Sequence, residues 1–224
     1  MRRPPTFSAE RPLWRSGLDF IAGVDEVGRG PLAGPVAAGA VILPPGIRAA
    51  GRFRWLSRVR DSKQLDPEAR FELAALIRER ALASAVAFMP VAAIDRIGIA
   101  EASRQAMLSA VGALSVRPQH LLIDAFRIPA CSLPQTPIIG GDGLSLSIAC
   151  ASIVAKVTRD RLMHTYDLCH PGYAFDRNKG YGTPDHLQAI EEIGPCHLHR
   201  RSFAPVRGML AGVIDGRREA PVPV

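Results

Sequence analysis

Cysteine is too scarce and too scattered to staple this chain. Its four residues, Cys131, Cys150, Cys169 and Cys196, include no C-x-x-C pair, so neither a disulfide framework nor a standard zinc spacing is indicated. Cys169-His170 and Cys196-His197-Leu198-His199 place zinc-type ligands side by side, and a zinc site stays open as a minor alternative. Long apolar runs are also missing. No stretch approaches the roughly 18 residues of a membrane span, and Met1-Arg2-Arg3-Pro4-Pro5 lacks the apolar stretch of a secretion signal. A cytoplasmic protein with no membrane partner is expected. Acid is in deficit: 21 Asp and Glu face 28 Lys and Arg, for a formal charge of +7. That balance favours a polyanionic partner, nucleic acid ahead of a membrane surface. No internal repeat is present, and 224 residues suit one domain with a small appendage.

The chain is organised around Ile21-Ala-Gly-Val-Asp25-Glu26-Val-Gly28-Arg29-Gly30-Pro-Leu-Ala-Gly34. A run of β-formers ends on two carboxylates, whose hard oxygens suit Mg²⁺ or Mn²⁺. The glycines beyond let backbone N–H groups approach a ligand closely. A dinucleotide loop fits poorly, because Pro31 stands where G-x-G-x-x-G would open a helix. Adjacent strand residues point to opposite faces, so one site for both Asp25 and Glu26 requires a bulge or a strand that ends there. The alternative is a solvated Asp-Glu pair beside a turn.

The remaining elements follow from periodicity and punctuation. Residues 1–16, rich in Arg and Pro, read as a mobile basic arm. Strands are expected over 18–25 and 34–43 as an antiparallel pair. A helix should start at Pro67 with Asp66 as N-cap and an inward stripe of Leu73, Leu76, Ile77 and Ala81. A strand over 83–89, a helical turn from 91, a helix over 99–114 and a buried strand over 120–124 follow, the last ending on Asp124. A short apolar run then ends on Asp142. Acids at the carboxyl ends of strands in an open α/β sheet gather at one edge, where ligands bind. Small residues over 147–163 suit a helix lying close to a sheet, with Ser152, Lys156 and Asp160 on one face; Asp160 reads first as the i,i+4 ion-pair partner of Lys156. The loop from Pro171 to Pro184 and the segment His199-Arg200-Arg201-Ser202-Phe203 mix cations with aromatics as nucleic-acid contacts do, or form solvated basic loops. The tail beyond 210 reads as disordered.

Together with Asp61-Ser62-Lys63, Leu121-Leu-Ile-Asp124, Gly141-Asp142, the 147–161 segment, Asn178-Lys-Gly-Tyr181-Gly-Thr183 and His199-Arg-Arg-Ser-Phe-Ala-Pro205, the Asp25 stretch resembles ribonuclease HII over roughly residues 19–207. The resemblance implies a ribonuclease H-like α/β fold, a mixed five-stranded sheet flanked by helices. It divides the chain into a core over 17–164, a small helical C-terminal portion over 165–210 for substrate, and a tail over 211–224. It implies an endoribonuclease that hydrolyses the RNA strand of RNA–DNA hybrids. Such an enzyme also cuts 5′ to single ribonucleotides in duplex DNA, leaving a 3′-hydroxyl, as a monomer using two Mg²⁺ or Mn²⁺ ions. By position, the metal-site acids fall on Asp25, Glu26, Asp124 and Asp142. The substrate-reading residues fall on Gly28, Arg29, Gly30 and Tyr181. Lys63, with Lys156 and Arg200 behind it, would meet phosphates without reading sequence. The chain departs from the family pattern at Val27, Cys150 and Gly140, where alanine, alanine and lysine are usual. Gly140 loosens the match at Asp142, which leaves Asp160 as the reserve fourth acid. A DNA-cutting relative of the same fold and a non-catalytic hybrid-binding module are the competing readings.

Overall fold

The computed structural model describes residues 4–45 and 54–214. Its frame is a five-stranded sheet in the order β3-β2-β1-β4-β5. β1 (Ile21–Val27) runs antiparallel to β2 (Val36–Ile42), which runs antiparallel to β3 (Ala83–Met89). On its other side β1 is parallel to β4 (His120–Asp124), and β4 is parallel to β5 (Gln135–Ile138). The mixed five-stranded sheet is therefore as expected, and the parallel trio β1, β4 and β5 sends its carboxyl ends to one edge.

Alternation along the strands sends residues to two cores. On one face Ile21, Val41 and Leu122 pack with Leu73, Ala74 and Ile77 of α2 (Pro67–Arg80) and with α5 (Leu146–Cys169). On the other, Ala22, Val24, Ala40 and Ile123 pack with Ile94 of α3 (Val91–Ile97) and with Ala102, Ala106 and Met107 of α4 (Ile99–Gly112). The expected cap is present: the Asp66 carboxylate accepts from Ala69 N at 2.8 Å. Beyond α5 the chain forms α6 (Phe175–Asn178), α7 (Pro184–Ile193) and α8 (Ala204–Ile214), which close a third core around Met163, Phe175, Ile190 and Val206. The tail expected from 211 is helical as far as Ile214, and its remainder lies outside the described residues, as do residues 46–53.

Two expectations need correction. Residues 4–16 are not a mobile arm: they include α1 (Glu10–Arg15), whose Trp14 joins the core. Glu10 is fully buried and accepts from Ser145 Oγ at 2.6 Å and from Ser147 N at 3.0 Å. An acid at that place satisfies donors at the N-terminus of α5 and suits its dipole. Asp142, for its part, does not end a strand. β5 stops at Ile138, Ile139 is exposed, Gly140 turns the chain in the left-handed region with φ 66°, and Asp142 sits on a 3₁₀ turn over Gly141–Gly143.

α5 lies directly on β1 because Gly23 has no side chain. A Cβ there would sit 2.0 Å from Ser147 C and 2.4 Å from Ile148 N, backbone atoms that cannot rotate away. Gly23→Ala should therefore cost about 3 kcal/mol or more, the upper range for overpacking, and lower Tm by roughly 6–12 °C for a chain of this size. Gly112→Ala is the control. Nothing stands within 4 Å of a Cβ there, so it should leave Tm unchanged or raise it by a few degrees. Thermal melts of the two variants check the pair, and equal Tm values would show that the close approach at Gly23 carries no cost.

Candidate active site

The edge where β1, β4 and β5 end carries the acids, and β1 delivers two of them without a bulge. Its pairing with β2 stays regular through Asp25↔Gly39, Glu26↔Ala38 and Val27↔Ala37. The expected bulge or strand end is thus absent. What changes is the other neighbour. Pairing with β4 stops at Val24↔Ile123, because β4 turns sharply after Asp124: Ala125 has φ 60°, and Phe126 N bonds back to Asp124 O at 2.8 Å. Past that point β1 has an open flank, around which the side chain of Glu26 meets that of Asp25 from the opposite pleat. One carboxylate oxygen from each of Asp25, Glu26 and Asp124 lies within 4.8 Å of the others.

Each carboxylate has its own support. Asp25, 4% exposed, accepts from Ser152 of α5, and Ser152 Oγ lies 3.0 Å from Ser62 Oγ. Asp124 accepts from Gly141 N at 2.6 Å. Glu26 Oε1 accepts from Arg29 Nη1 at 3.2 Å, while its buried Oε2 has no hydrogen-bond partner. Burial pushes all four acids above the usual carboxylate range. For Asp25 the negative charges of Glu26 and Asp124 add to it, and for Asp142 those of Asp61 and Asp124. A buried carboxylate oxygen without a donor, among mutually repelling acids, fits a hard divalent cation. Among the described residues, no other group of three His, Cys, Asp or Glu is so gathered. The zinc alternative does not assemble, and all four cysteines are free.

Nine of the residues singled out from sequence line one cleft of about 510 Å³: Asp25, Glu26, Asp124 and Asp142, then Gly28-Arg29-Gly30, Lys63 and Tyr181; Lys156 lines it too. Lys63 is exposed, and its charge acts on both Asp124 and Asp142. Arg29 lies over the ring of Phe126 at 5.1 Å. A Cβ at Gly30 would come within 3.6 Å of Tyr181 Cε1, which places the loop against that ring. Asp160 is elsewhere. It accepts from Lys156 Nζ at 2.7 Å, lies 3.8 Å from Arg70, and lines a neighbouring groove of about 790 Å³.

Arg200 corrects the sequence reading. It is fully buried, so its guanidinium cannot meet a phosphate at the surface. It donates instead to the carbonyls of Gly28 at 2.6 Å, Arg29 at 2.8 Å and Gly34 at 2.9 Å. Burial brings its pKa down to about 9, so it remains charged near neutral pH. Arg159 of α5, also fully buried, donates to Pro35 O, Ala33 O and Lys179 O. A Cβ at Gly28, where φ is +91°, would lie 2.2 Å from Arg159 Nε. Two arginine forks therefore shape the glycine loop by occupying its inward carbonyls. Sequence reading placed Ser152 on a helix face without giving it a role and missed Arg159, although their spacing of seven residues puts both on the sheet-facing side of one helix.

The Ribonuclease HII family model matches residues 22–206. The ribonuclease HII of Moorella thermoacetica is 52% identical over 197 residues, covering 88% of this chain and 92% of the relative. That of Geobacillus thermodenitrificans is 53% identical over 201 residues, covering 90% and 74%. Among solved structures, the ribonuclease H2 from Pyrococcus horikoshii superposes with a TM-score of 0.69 at 24% identity, over 84% of this chain and 96% of that one. A match over most of the chain, half-identical relatives and a shared sheet architecture agree: the chain belongs to the ribonuclease HII family of nucleases.

Proposed function

We propose that this protein cuts RNA joined to or paired with DNA. It hydrolyses the RNA strand of RNA–DNA hybrids and cuts 5′ to a single ribonucleotide in duplex DNA, leaving a 3′-hydroxyl. The observation that carries the reading is the convergence in one cleft of an acid cluster with a donorless buried oxygen and a glycine loop backed by a tyrosine. Asp25, Glu26, Asp124 and Asp142 would hold Mg²⁺ or Mn²⁺, two ions during catalysis. When bound, such ions supply positive charge against the phosphate and lower the pKa of water toward neutrality.

The chain's own groups do the rest. Ser152 and Gly141 N orient Asp25 and Asp124, so little reorganisation is left for the moment of reaction. The glycine loop, with no side chains at 28 and 30, lets its backbone approach a ribose 2′-hydroxyl, the group that separates RNA from DNA. Tyr181, 44% exposed, offers its ring to the neighbouring sugar and its hydroxyl to the 2′-oxygen. The test is a gel assay on a duplex carrying one ribonucleotide. Cleavage 5′ to it with Mg²⁺, and none without, is expected. Equal cleavage of an all-DNA duplex would overturn the reading in favour of a DNA nuclease, and binding without turnover would leave only a binding module.

Two further outcomes follow. Affinity should fall as salt rises, and Lys63→Ala should reduce the slope of log K against log salt by about one while weakening all sequences alike. A slope that does not move places Lys63 off the backbone. Tyr181→Ala should lower kcat/KM more on the single-ribonucleotide duplex than on a long hybrid, because a hybrid offers many registers and a lone ribose one. Equal losses on both, with a lower Tm, would reduce Tyr181 to a packing residue.

A further inference from the structure

Tyr181 turns its ring to the cleft, but its backbone carbonyl is held by one imidazole, itself paired with a second, and the proposed chemistry uses neither. His186 of α7 is fully buried and His199 is 1% exposed. His186 Nδ1 lies 2.8 Å from Tyr181 O, and its Nε2 lies 3.1 Å from His199 Nε2. His199 Nδ1 lies 3.0 Å from Cys196 N. A carbonyl only accepts, so His186 Nδ1 carries a proton. An amide only donates, so His199 Nδ1 is bare, and His199 Nε2 then donates to His186 Nε2. The opposite tautomer of His199, directed at Cys196 O 3.3 Å away, would set two bare nitrogens against each other.

Each ring therefore has one consistent neutral form. Burial lowers the pKa of both, that of His199 to about 4, with the neighbouring His186 adding to the effect. Aromatic rings close the pair in: Tyr173 lies 4.8 Å from His199, and Phe175 meets His186 edge-on at 5.5 Å. The segment that carries His199 is the one that mounts the glycine loop. Gly34 N donates to Leu198 O, Arg200 N donates to Leu32 O, and Ala33 bridges His199.

We infer that His186 and His199 are positioning residues for ribose recognition. They form a tautomer-locked imidazole chain that fixes the Tyr181 backbone to the same segment that holds Gly28-Arg29-Gly30. This rests on the sensing role proposed for Tyr181. The chain sets the gap between the loop and the ring, and so the width of the slot that a single ribose must fill.

Two variants split the relay without emptying the site. His186→Asn puts an amide donor at the Nδ1 position, keeps the bond to Tyr181 O and loses the contact with His199. His186→Gln reaches the Nε2 position, keeps the contact with His199 and loses the bond to Tyr181. On a single-ribonucleotide duplex, kcat/KM should fall about tenfold for both Asn and Gln, the worth of one buried hydrogen bond, because each variant cuts one link of the chain. Melting temperatures should be similar. Adding Tyr181→Ala to His186→Gln should cost nothing beyond Tyr181→Ala alone. Losses that multiply in the double variant, or a parent-like rate for either single variant, would overturn the relay and leave a packing role. A Tyr181→Ala loss that is equal on both substrates would overturn the sensing role instead, and the double variant would still decide whether His186 acts through Tyr181.

Discussion

Asp25→Asn should abolish turnover, by about a thousandfold or more, yet leave hybrid binding within about tenfold, and Asp124→Asn should do the same. Both side chains belong to the trio whose oxygens lie within 4.8 Å of one another. An amide in place of a carboxylate removes a hard anionic ligand, which is worth several kcal/mol of transition-state stabilisation. Binding survives because affinity for a duplex comes mostly from phosphate contacts made elsewhere on the basic surface. Full activity of either variant at saturating Mg²⁺ would remove that residue from the mechanism. Asp142→Asn should cost more turnover than Asp160→Asn, since Asp142 lines the acid cleft and Asp160 is already paired with Lys156.

The same Asp25 variant has an opposite expected effect on the metal-free fold. Burial first, then Glu26 and Asp124, raise the Asp25 pKa above its ordinary value. As pH climbs through the ordinary carboxyl range near about 4, the unfolded chain releases this proton before the folded one does. The folded state then binds more protons, so stability falls with rising pH up to the raised value and stays lower above it. Asparagine carries no such cost. Without divalent metal at pH 7, Asp25→Asn should melt above the parent, and the gap should close below about pH 4. Added Mg²⁺ should raise the parent's Tm more than the variant's, because an ion that binds only the folded form stabilises it. A Tm gap that does not depend on pH would show that the acid cluster carries no charge strain.

What was legible in the sequence, and what was not, divides by the range of the physics. Asp66 before Pro67, the strand over 120–124 and the strand over 83–89 are local patterns, and they sit where periodicity and capping put them. The nine residues that the resemblance picks out line one cleft because its motifs keep their order along the chain. Glu10 was taken for part of a loose arm because its partners, Ser145 and Ser147, lie more than a hundred residues away. Asp142 was misplaced by a few residues because an apolar Pro137-Ile138-Ile139 run looks like strand throughout, whereas Ile139 lies exposed past the edge of the sheet. Burial of a cation is the hardest to foresee. Arginine is almost never buried without partners, and the carbonyl partners of Arg159 and Arg200 are backbone atoms with no sequence signature.

Arg200→Lys should therefore harm both the fold and the reaction, and in a way that separates a buried mount from a surface contact. The guanidinium spans three carbonyls, Gly28 O, Arg29 O and Gly34 O, from a fixed planar fork. An ammonium is a single point and cannot reach all three. Buried carbonyls left without donors cost about 1–3 kcal/mol each. A loss of about 3 kcal/mol and a Tm lower by roughly 6–12 °C are expected at this chain length. Since the released carbonyls belong to the loop proposed to face the ribose, kcat/KM should fall about a hundredfold, as displacements near 1 Å do. The salt slope of binding, read on Arg200→Ala so that the charge itself is lost, decides the mechanism. If Arg200 touched a phosphate, its loss would lower the slope by about one; buried under the loop, it should leave the slope unchanged. Arg201→Ala, at the exposed neighbour, should spare both Tm and the rate on the single-ribonucleotide duplex. A reduced slope with an unchanged Tm for Arg200→Ala would return Arg200 to the phosphate-binding surface and leave the glycine loop to be held by Arg159 alone.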